Sequence, residues 1–198
     1  MLIGLTGGIG SGKTTIAGAL RERGYAVYDT DSAAKRLVLD PAVRQQIERL
    51  LGVDVYDGGR YLTDRVAKRV FADPELLRGL NAIVHPAVRN DLSIFNFQFS
   101  SEHPFVFVES AILYESGFDS VCDYIVAVIA PKPLRIARTM ARDNKSVEEV
   151  RRRIKAQMSN CQLRHRVDYV VENNGRQPVS VLVDKLLRHL QRKYCKQT

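Results

Sequence analysis

Gly7-Gly8-Ile9-Gly10-Ser11-Gly12-Lys13-Thr14 has the spacing of a phosphate-binding loop: glycine, four residues, then Gly-Lys-Ser/Thr. Before it stands Leu2-Ile3-Gly4-Leu5, an apolar run of strand length, and after it Ile16, Ala17 and Leu20 recur at helical spacing. The loop therefore joins a strand to a helix, the context in which this motif holds phosphate instead of merely turning the chain. Glycines allow consecutive backbone N–H groups to face inward. The helix beginning near Gly12 adds its positive dipole end and its free amides. Lys13 is of a length to reach the β- and γ-phosphates, and the Thr14 hydroxyl is placed to ligate Mg²⁺. The chain is thus expected to grip a nucleoside triphosphate.

Outward from the loop, strand and helix alternate: strand Leu2 to Thr6, helix Lys13 to about Arg23, strand Ala26 to Tyr28, and helical material from Ser32. Asp40-Pro41 reads as an N-cap followed by proline at the first helical position, and Val43, Ile47, Leu50 and Leu51 line one face of the next helix. Tyr56-Asp57-Gly58-Gly59 reads as a turn, and Thr63 and Asp73-Pro74 as further helix starts. About 40–100 is therefore expected to be mostly helical, without an evident strand. That is long for a crossover, and it reads as an insert between the second and third sheet strands, where an acceptor can be gripped. Strands return at Phe105 to Val108 and Tyr124 to Ile129, apolar on both faces as in the centre of a parallel sheet. A helix from about Pro133 to Arg142 follows, and Ser146-Val147-Glu148-Glu149 is a capping box for another running to about Met158. Tyr169 to Val171 is the last strand, Asn173-Asn174-Gly175 a turn, and Val179, Leu182, Val183, Leu186, Leu187 and Leu190 the buried stripe of a final helix.

At 198 residues and 45% hydrophobic composition, one substantial core is expected. The longest apolar candidate, Tyr124 to Ala130, falls far short of the ~20 residues that span a bilayer. Met1-Leu2-Ile3 runs into the first strand with no basic leader, so the expectation is a cytoplasmic protein without a membrane partner. Cys122, Cys161 and Cys195 form no metal-ligand pattern and read as reduced thiols. The net charge of +8 is lopsided: Lys132 to Arg166 holds eleven Lys and Arg against Asp143, Glu148 and Glu149, while the rest of the chain holds 19 of each sign. No helix-turn-helix, aromatic stacking stripe or basic tail accompanies it, so a segment closing over several phosphates is favoured over nucleic-acid binding.

Asp29-Thr30-Asp31 follows the second strand directly, at the edge where open α/β sheets bind ligands. A carboxylate there accepts a proton from an attacking hydroxyl, helps to order Mg²⁺, or caps the helix beginning near Ser32. A chemical role is weighted toward Asp31. Arg135, Arg138 and Arg142, spaced by three and four, share a helix face and read as a phosphate clamp, with Arg142 nearest the presumed hinge Asp143-Asn144 as the transition-state arginine. Glu109 ends the third strand, where many phosphate-loop proteins carry an aspartate, and Glu115 lies six residues on. His85-Pro86, within an otherwise helical run, locally disrupts backbone pairing and, on its own, reads as a structural histidine.

Together Leu5-Thr6 with the loop, Asp29-Thr30-Asp31, Leu62-Thr63-Asp64-Arg65, His85-Pro86, Glu115, and Val167-Asp168 to Asn174-Gly175 resemble the dephospho-CoA kinase family over almost the whole chain. The resemblance implies an α/β phosphate-loop kinase of three layers with a central parallel sheet, a helical insert for CoA and a basic lid at about 142–166, in one domain over 1–198. It implies ATP and Mg²⁺, with phosphorylation of the ribose 3′-hydroxyl of dephospho-CoA. By it Lys13, Asp31 and Arg142 are catalytic, and Gly8, Ile9, Gly10, Ser11, Gly12, Lys13, Thr14, Thr15, Arg138, Asn174 and Gly175 bind ATP. Thr14 meets the metal, and Asp31, Arg65, His85 and Glu115 face the acceptor. The expected partners are small molecules, with no nucleic acid, and the expected state is a monomer or weak homo-oligomer. Ala111-Ile112-Leu113-Tyr114-Glu115 departs from the family's more usual Pro-Leu-Leu-Phe-Glu. Asn144-Lys145 begins a guanine-reading pattern, but Val147 stands where aspartate is required.

Overall fold

β1 (Leu2–Thr6) is buried at every residue, as a strand covered on both faces must be. It leads to α1 (Lys13–Arg21), β2 (Ala26–Asp29), α2 (Thr30–Leu37), α3 (Pro41–Leu51), β3 (Tyr56–Asp57), β4 (Arg60–Tyr61), α4 (Thr63–Ala72) and α5 (Pro74–Ser100). The chain continues through β5 (Val106–Ser110), β6 (Tyr124–Ile129), α6 (Lys132–Asp143), α7 (Val147–Lys155), α8 (Asn160–Arg166), β7 (Tyr169–Glu172) and α9 (Val179–Tyr194). This computed structural model describes residues 1–194, so Cys195 lies outside the described residues. Two compact units result: Asp29–Gln98, and Met1–Tyr28 together with the described chain from Phe99 onward.

The second of these units holds a five-stranded sheet in the order β2-β5-β1-β6-β7, with β1–β5, β1–β6 and β6–β7 parallel. Side chains alternate across it. Val126 and Val128 join Ile3, Leu5 and Phe107 under α1 and α9, while Ala127 and Ile129 face the other way against Leu163 of α8. Helices on both faces hide the sheet, and the β1 carboxyl end therefore emerges as a loop with a rigid floor. Burial pushes the Cys122 thiol up to about 12, so it is an inert packing group.

The Asp29–Gln98 unit has its own core of Val38, Val43, Ile47, Leu51, Val55, Tyr56, Val66 and Val70. The Tyr56 hydroxyl donates to the Val38 carbonyl at 2.7 Å, and the Arg44 guanidinium stands 4.7 Å above its ring. Contrary to the strandless expectation for this stretch, β3 and β4 pair antiparallel across Gly58 and Gly59, whose φ angles of 51° and 81° give a tight hairpin its twist. A two-residue strand carries too little alternation to be legible in sequence. α5 runs through Pro86 without ending. The missing N–H costs one ladder bond, but Ile83, Val84 and Ala87 pack on the unit's core on both sides of the proline. The basic segment contains one more helix than its pattern suggests: Ser159 opens α8 with a capping box to Gln162.

Candidate functional site

The site is built where β1 ends and α1 begins. Gly12 is the N-cap of α1 at φ 89°, and a Cβ there would lie 2.1 Å from Asn173 Nδ2, so this position needs glycine for both conformation and space. Asn173, buried just after β7, donates from Nδ2 to the Ser11 carbonyl at 2.9 Å. Arg138 of α6 donates to that carbonyl at 3.4 Å and to the Asn173 carbonyl and Oδ1 at 3.3 Å each. A trans peptide is planar, so its C=O and the following N–H point in opposite directions. Drawing the Ser11 carbonyl toward Asn173 therefore turns the Gly12 N–H to the other side, alongside the first amides of α1, which have no intrahelical acceptor. The result is an anion cradle at a helix N-terminus.

Beneath it, the β1–β5 register pairs Leu5 with Glu109, so Glu109 enters the base of the loop from inside β5, which extends to Ser110. Its Oε1 accepts from Lys13 Nζ at 2.6 Å and from Thr14 Oγ1 at 2.7 Å, and the residue is 3% exposed. This pair is shielded from water, unlike a surface ion pair, and holds the lysine ammonium at the base of the cradle. The oxygens also fit Mg²⁺. Two hard donors, Thr14 Oγ1 and Glu109 Oε1, adjoin, and that ion is ordinarily held by one or two protein oxygens together with substrate phosphates.

At Gly10, φ is 75° and a Cβ would stand 2.3 Å from the Arg135 carbonyl and 2.6 Å from Thr139 Oγ1. The left-handed conformation alone costs a non-glycine residue about 1–2 kcal/mol. Gly10→Ala is accordingly expected to weaken ATP binding at least about tenfold in titration calorimetry, because loop or helix must shift. An unchanged affinity would contradict this role for Gly10.

The three arginines of α6 go to separate places instead of pointing together. Arg135 is 3% exposed and turned onto the loop, Arg138 reaches Ser11 and Asn173, and exposed Arg142 binds its neighbour Asp143 at 2.7 and 3.1 Å. That bond to Arg142, with Arg153 at 3.4 Å beyond, holds the Asp143 carboxyl below its ordinary range. Asn144 then ends α6 in the left-handed region. Asn174 Oδ1 accepts from the Arg176 amide at 3.0 Å, and a Cβ on Gly175 would sit 3.8 Å from Arg138 Nη2. Thr15 is exposed on the first turn of α1. Glu115 is exposed in a cleft with Thr6, Gly7, Gly8 and Gln157, and it also lines an adjoining depression of about 430 Å³ with Tyr114, Met158 and His165.

In the Asp29–Gln98 unit the helix cap belongs to Asp29, whose Oδ1 accepts from the Asp31 and Ser32 amides at 3.0 and 3.2 Å. Asp31 sits in the first turn, so capping is not its task. Arg65 donates to the Asp54 carbonyl, and the Arg69 guanidinium bonded to the Asp54 carboxylate lowers that group's pKa. His85 is half-buried; burial pushes its pKa down, Arg89 adds to the effect, and the ring is neutral at neutral pH. Asn173, Gln157 and Asn160 are site residues that sequence reasoning misses. Asn173 stands within the turn expected after the last strand, while the other two carry no local signal. Among the described residues no helix is long and apolar enough to cross a membrane.

Comparison with known proteins gives the same direction. The family described as dephospho-CoA kinase matches residues 1–178. The dephospho-CoA kinase of Porphyromonas gingivalis is 43% identical over 156 residues, 78% of this chain and 76% of that protein. That of Bacteroides fragilis is 37% identical over 196 residues, 96% of this chain and 93% of that protein. The crystal structure of TT1252 from Thermus thermophilus superimposes with a TM-score of 0.84 at 37% identity, covering 98% of this chain and 97% of that one.

Proposed function

The chain belongs to the dephospho-CoA kinase family, and from that premise we propose that it transfers the γ-phosphoryl group of ATP to the ribose 3′-hydroxyl of dephospho-CoA, giving coenzyme A and ADP. The observation that carries the reading is the phosphate cradle at the head of α1, with Lys13 and Thr14 both anchored on one buried oxygen of Glu109. Such a site supplies charge and positioning, which is most of what phosphoryl transfer asks of a protein.

In this reading the 3′-oxygen forms a bond to the γ-phosphorus as the bond from that phosphorus to the β,γ-bridging oxygen breaks, and the hydroxyl proton passes to Asp31. Lys13 stays with the transferring oxygens, and Arg142 swings from Asp143 to the phosphoryl group when the lid at about 142–166 closes. Gly8 through Thr15 hold the phosphates. Arg138, Asn174 and Gly175 surround the adenine, which agrees with the approach of Gly175 to Arg138. Thr14, with Glu109 beside it, would hold Mg²⁺, which would supply charge neutralisation when bound. Arg65, His85 and Glu115 serve the acceptor, with His85 as a neutral hydrogen-bonding ring. The depression of about 430 Å³ at Glu115 is of a size to admit part of a nucleotide.

An ADP-release assay with dephospho-CoA, AMP, CMP, shikimate and gluconate as acceptors tests the proposal. Dephospho-CoA is expected to give turnover well above the others, and a rate equal to the no-acceptor background would remove it as the substrate.

A further inference from the structure

Ile9 is held from both sides by residues outside the loop. Its N–H donates to Gln157 Oε1 at 2.8 Å, and its C=O accepts from Arg135 Nε at 2.9 Å. Gln157 lies in the turn between α7 and α8, and Arg135 lies on α6, so both grips come from the basic segment. That turn is itself hydrogen-bonded on both sides. Ser159 closes the capping box of α8, and Asn160 ties the turn to the sheet by donating to the Ala130 carbonyl at 2.9 Å while accepting from Arg135 Nη1 at 3.3 Å.

We infer that Arg135 and Gln157 are positioning residues of the phosphate loop, which clamp the Ile9 peptides and couple the basic segment to the orientation of the phosphate-binding amides. The inference rests on the ATP-dependent reading above but not on the identity of the acceptor. Peptide planarity acts here as it does at Ser11: with the Ile9 carbonyl drawn to Arg135, the Gly10 N–H of the same peptide must point the opposite way. Ile9 and Ser11 alternate with Gly10 and Gly12, so clamping two carbonyls sets two amides on the far side.

Charge adds a second role for Arg135. Its guanidinium is buried, its Nη2 has no hydrogen-bond partner among the described residues, and a Cβ on Gly8 would lie 2.1 Å from that nitrogen. Among the described residues none of its hydrogen-bond partners is a carboxylate. A fixed positive charge packed directly behind the loop, away from water, favours an anion held by that loop.

The test is ATP binding by calorimetry with ATP as the probe, alongside steady-state kinetics. Gln157 is the cleaner position because it is only partly buried. Gln157→Ala is expected to raise the ATP Kd, and KM for ATP with it, about threefold to tenfold, the worth of one ordinary hydrogen bond. The thermal midpoint should stay within a few degrees of wild type. Gln157→Glu retains an acceptor for the Ile9 N–H but adds a negative charge at the loop, and should weaken ATP further than alanine does. Arg135→Lys preserves charge without the fork, and should bind ATP more tightly than Arg135→Gln if it folds. A Gln157→Ala protein with wild-type ATP affinity overturns the clamp whatever Arg135 does, and so does a fall in thermal midpoint with no change in ATP affinity. Because ATP Kd is read without an acceptor, failure of dephospho-CoA as substrate leaves this test intact.

Discussion

Lys13→Ala is expected to lower kcat about 10²–10³-fold, the usual loss when one donor aimed at developing charge is removed, and to weaken ATP binding as well. The same substitution acts on the fold. Lys13 and Glu109 are an ion pair at 2.6 Å with side-chain exposures of 10% and 3%, and removing one member of a buried pair typically costs about 3–5 kcal/mol. The Thr14 hydroxyl remains on Glu109 Oε1, so part of the anchor survives. The expected protein is folded, with a thermal midpoint several degrees lower, and almost inactive even at saturating ATP. Calorimetry, thermal melting and kcat measured on one preparation separate the two effects. If kcat stayed within about threefold of wild type at saturating ATP, Lys13 would be an anchor of the loop and not a group acting on the phosphoryl transfer.

Asp31→Asn is expected to lower kcat about 10²–10⁴-fold, the range of a lost general base, with ATP affinity unchanged. Asp31 stands in the first turn of α2, where its charge contributes about 0.3–1 kcal/mol through the helix dipole, and the cap is provided by Asp29. Asp29→Asn supplies the control, since asparagine also caps well and should leave kcat near wild type. Equal activity of Asp31→Asn and the parent enzyme would refute the base assignment. Equal losses in both variants would point to the turn as a whole.

Much of the architecture is legible in the chain itself. Strands Leu2–Thr6 and Tyr124–Ile129 match their expected bounds to the residue because each is a short, apolar run covered on both faces. Asp40-Pro41 and Ser146 through Glu149 announce their helices through local capping, and both caps form as expected. The β3–β4 hairpin and the separate α8 are not read in the sequence. The hairpin's two-residue strands carry too little alternation to show, whereas α8 opens on a Ser159–Gln162 capping box that the chain does carry. The arginines of α6 mark the same boundary. Spacing places them on one face, but whether a guanidinium meets a loop carbonyl, an asparagine or the next residue is set by what lies across from it.

By itself the sequence determined that Gly7 to Thr14 is a triphosphate loop between strand and helix, because glycine conformation, dipole and spacing are all local properties. Only the tertiary structure decided that Lys13 and Thr14 share Glu109, and that Ile9 and Ser11 are drawn away from the cradle by Arg135, Arg138 and Asn173. Those partners lie 95 to 162 positions away in the chain. A planar peptide transmits their pull directly to the amide on its other side, and nothing in the order of residues near the loop encodes it.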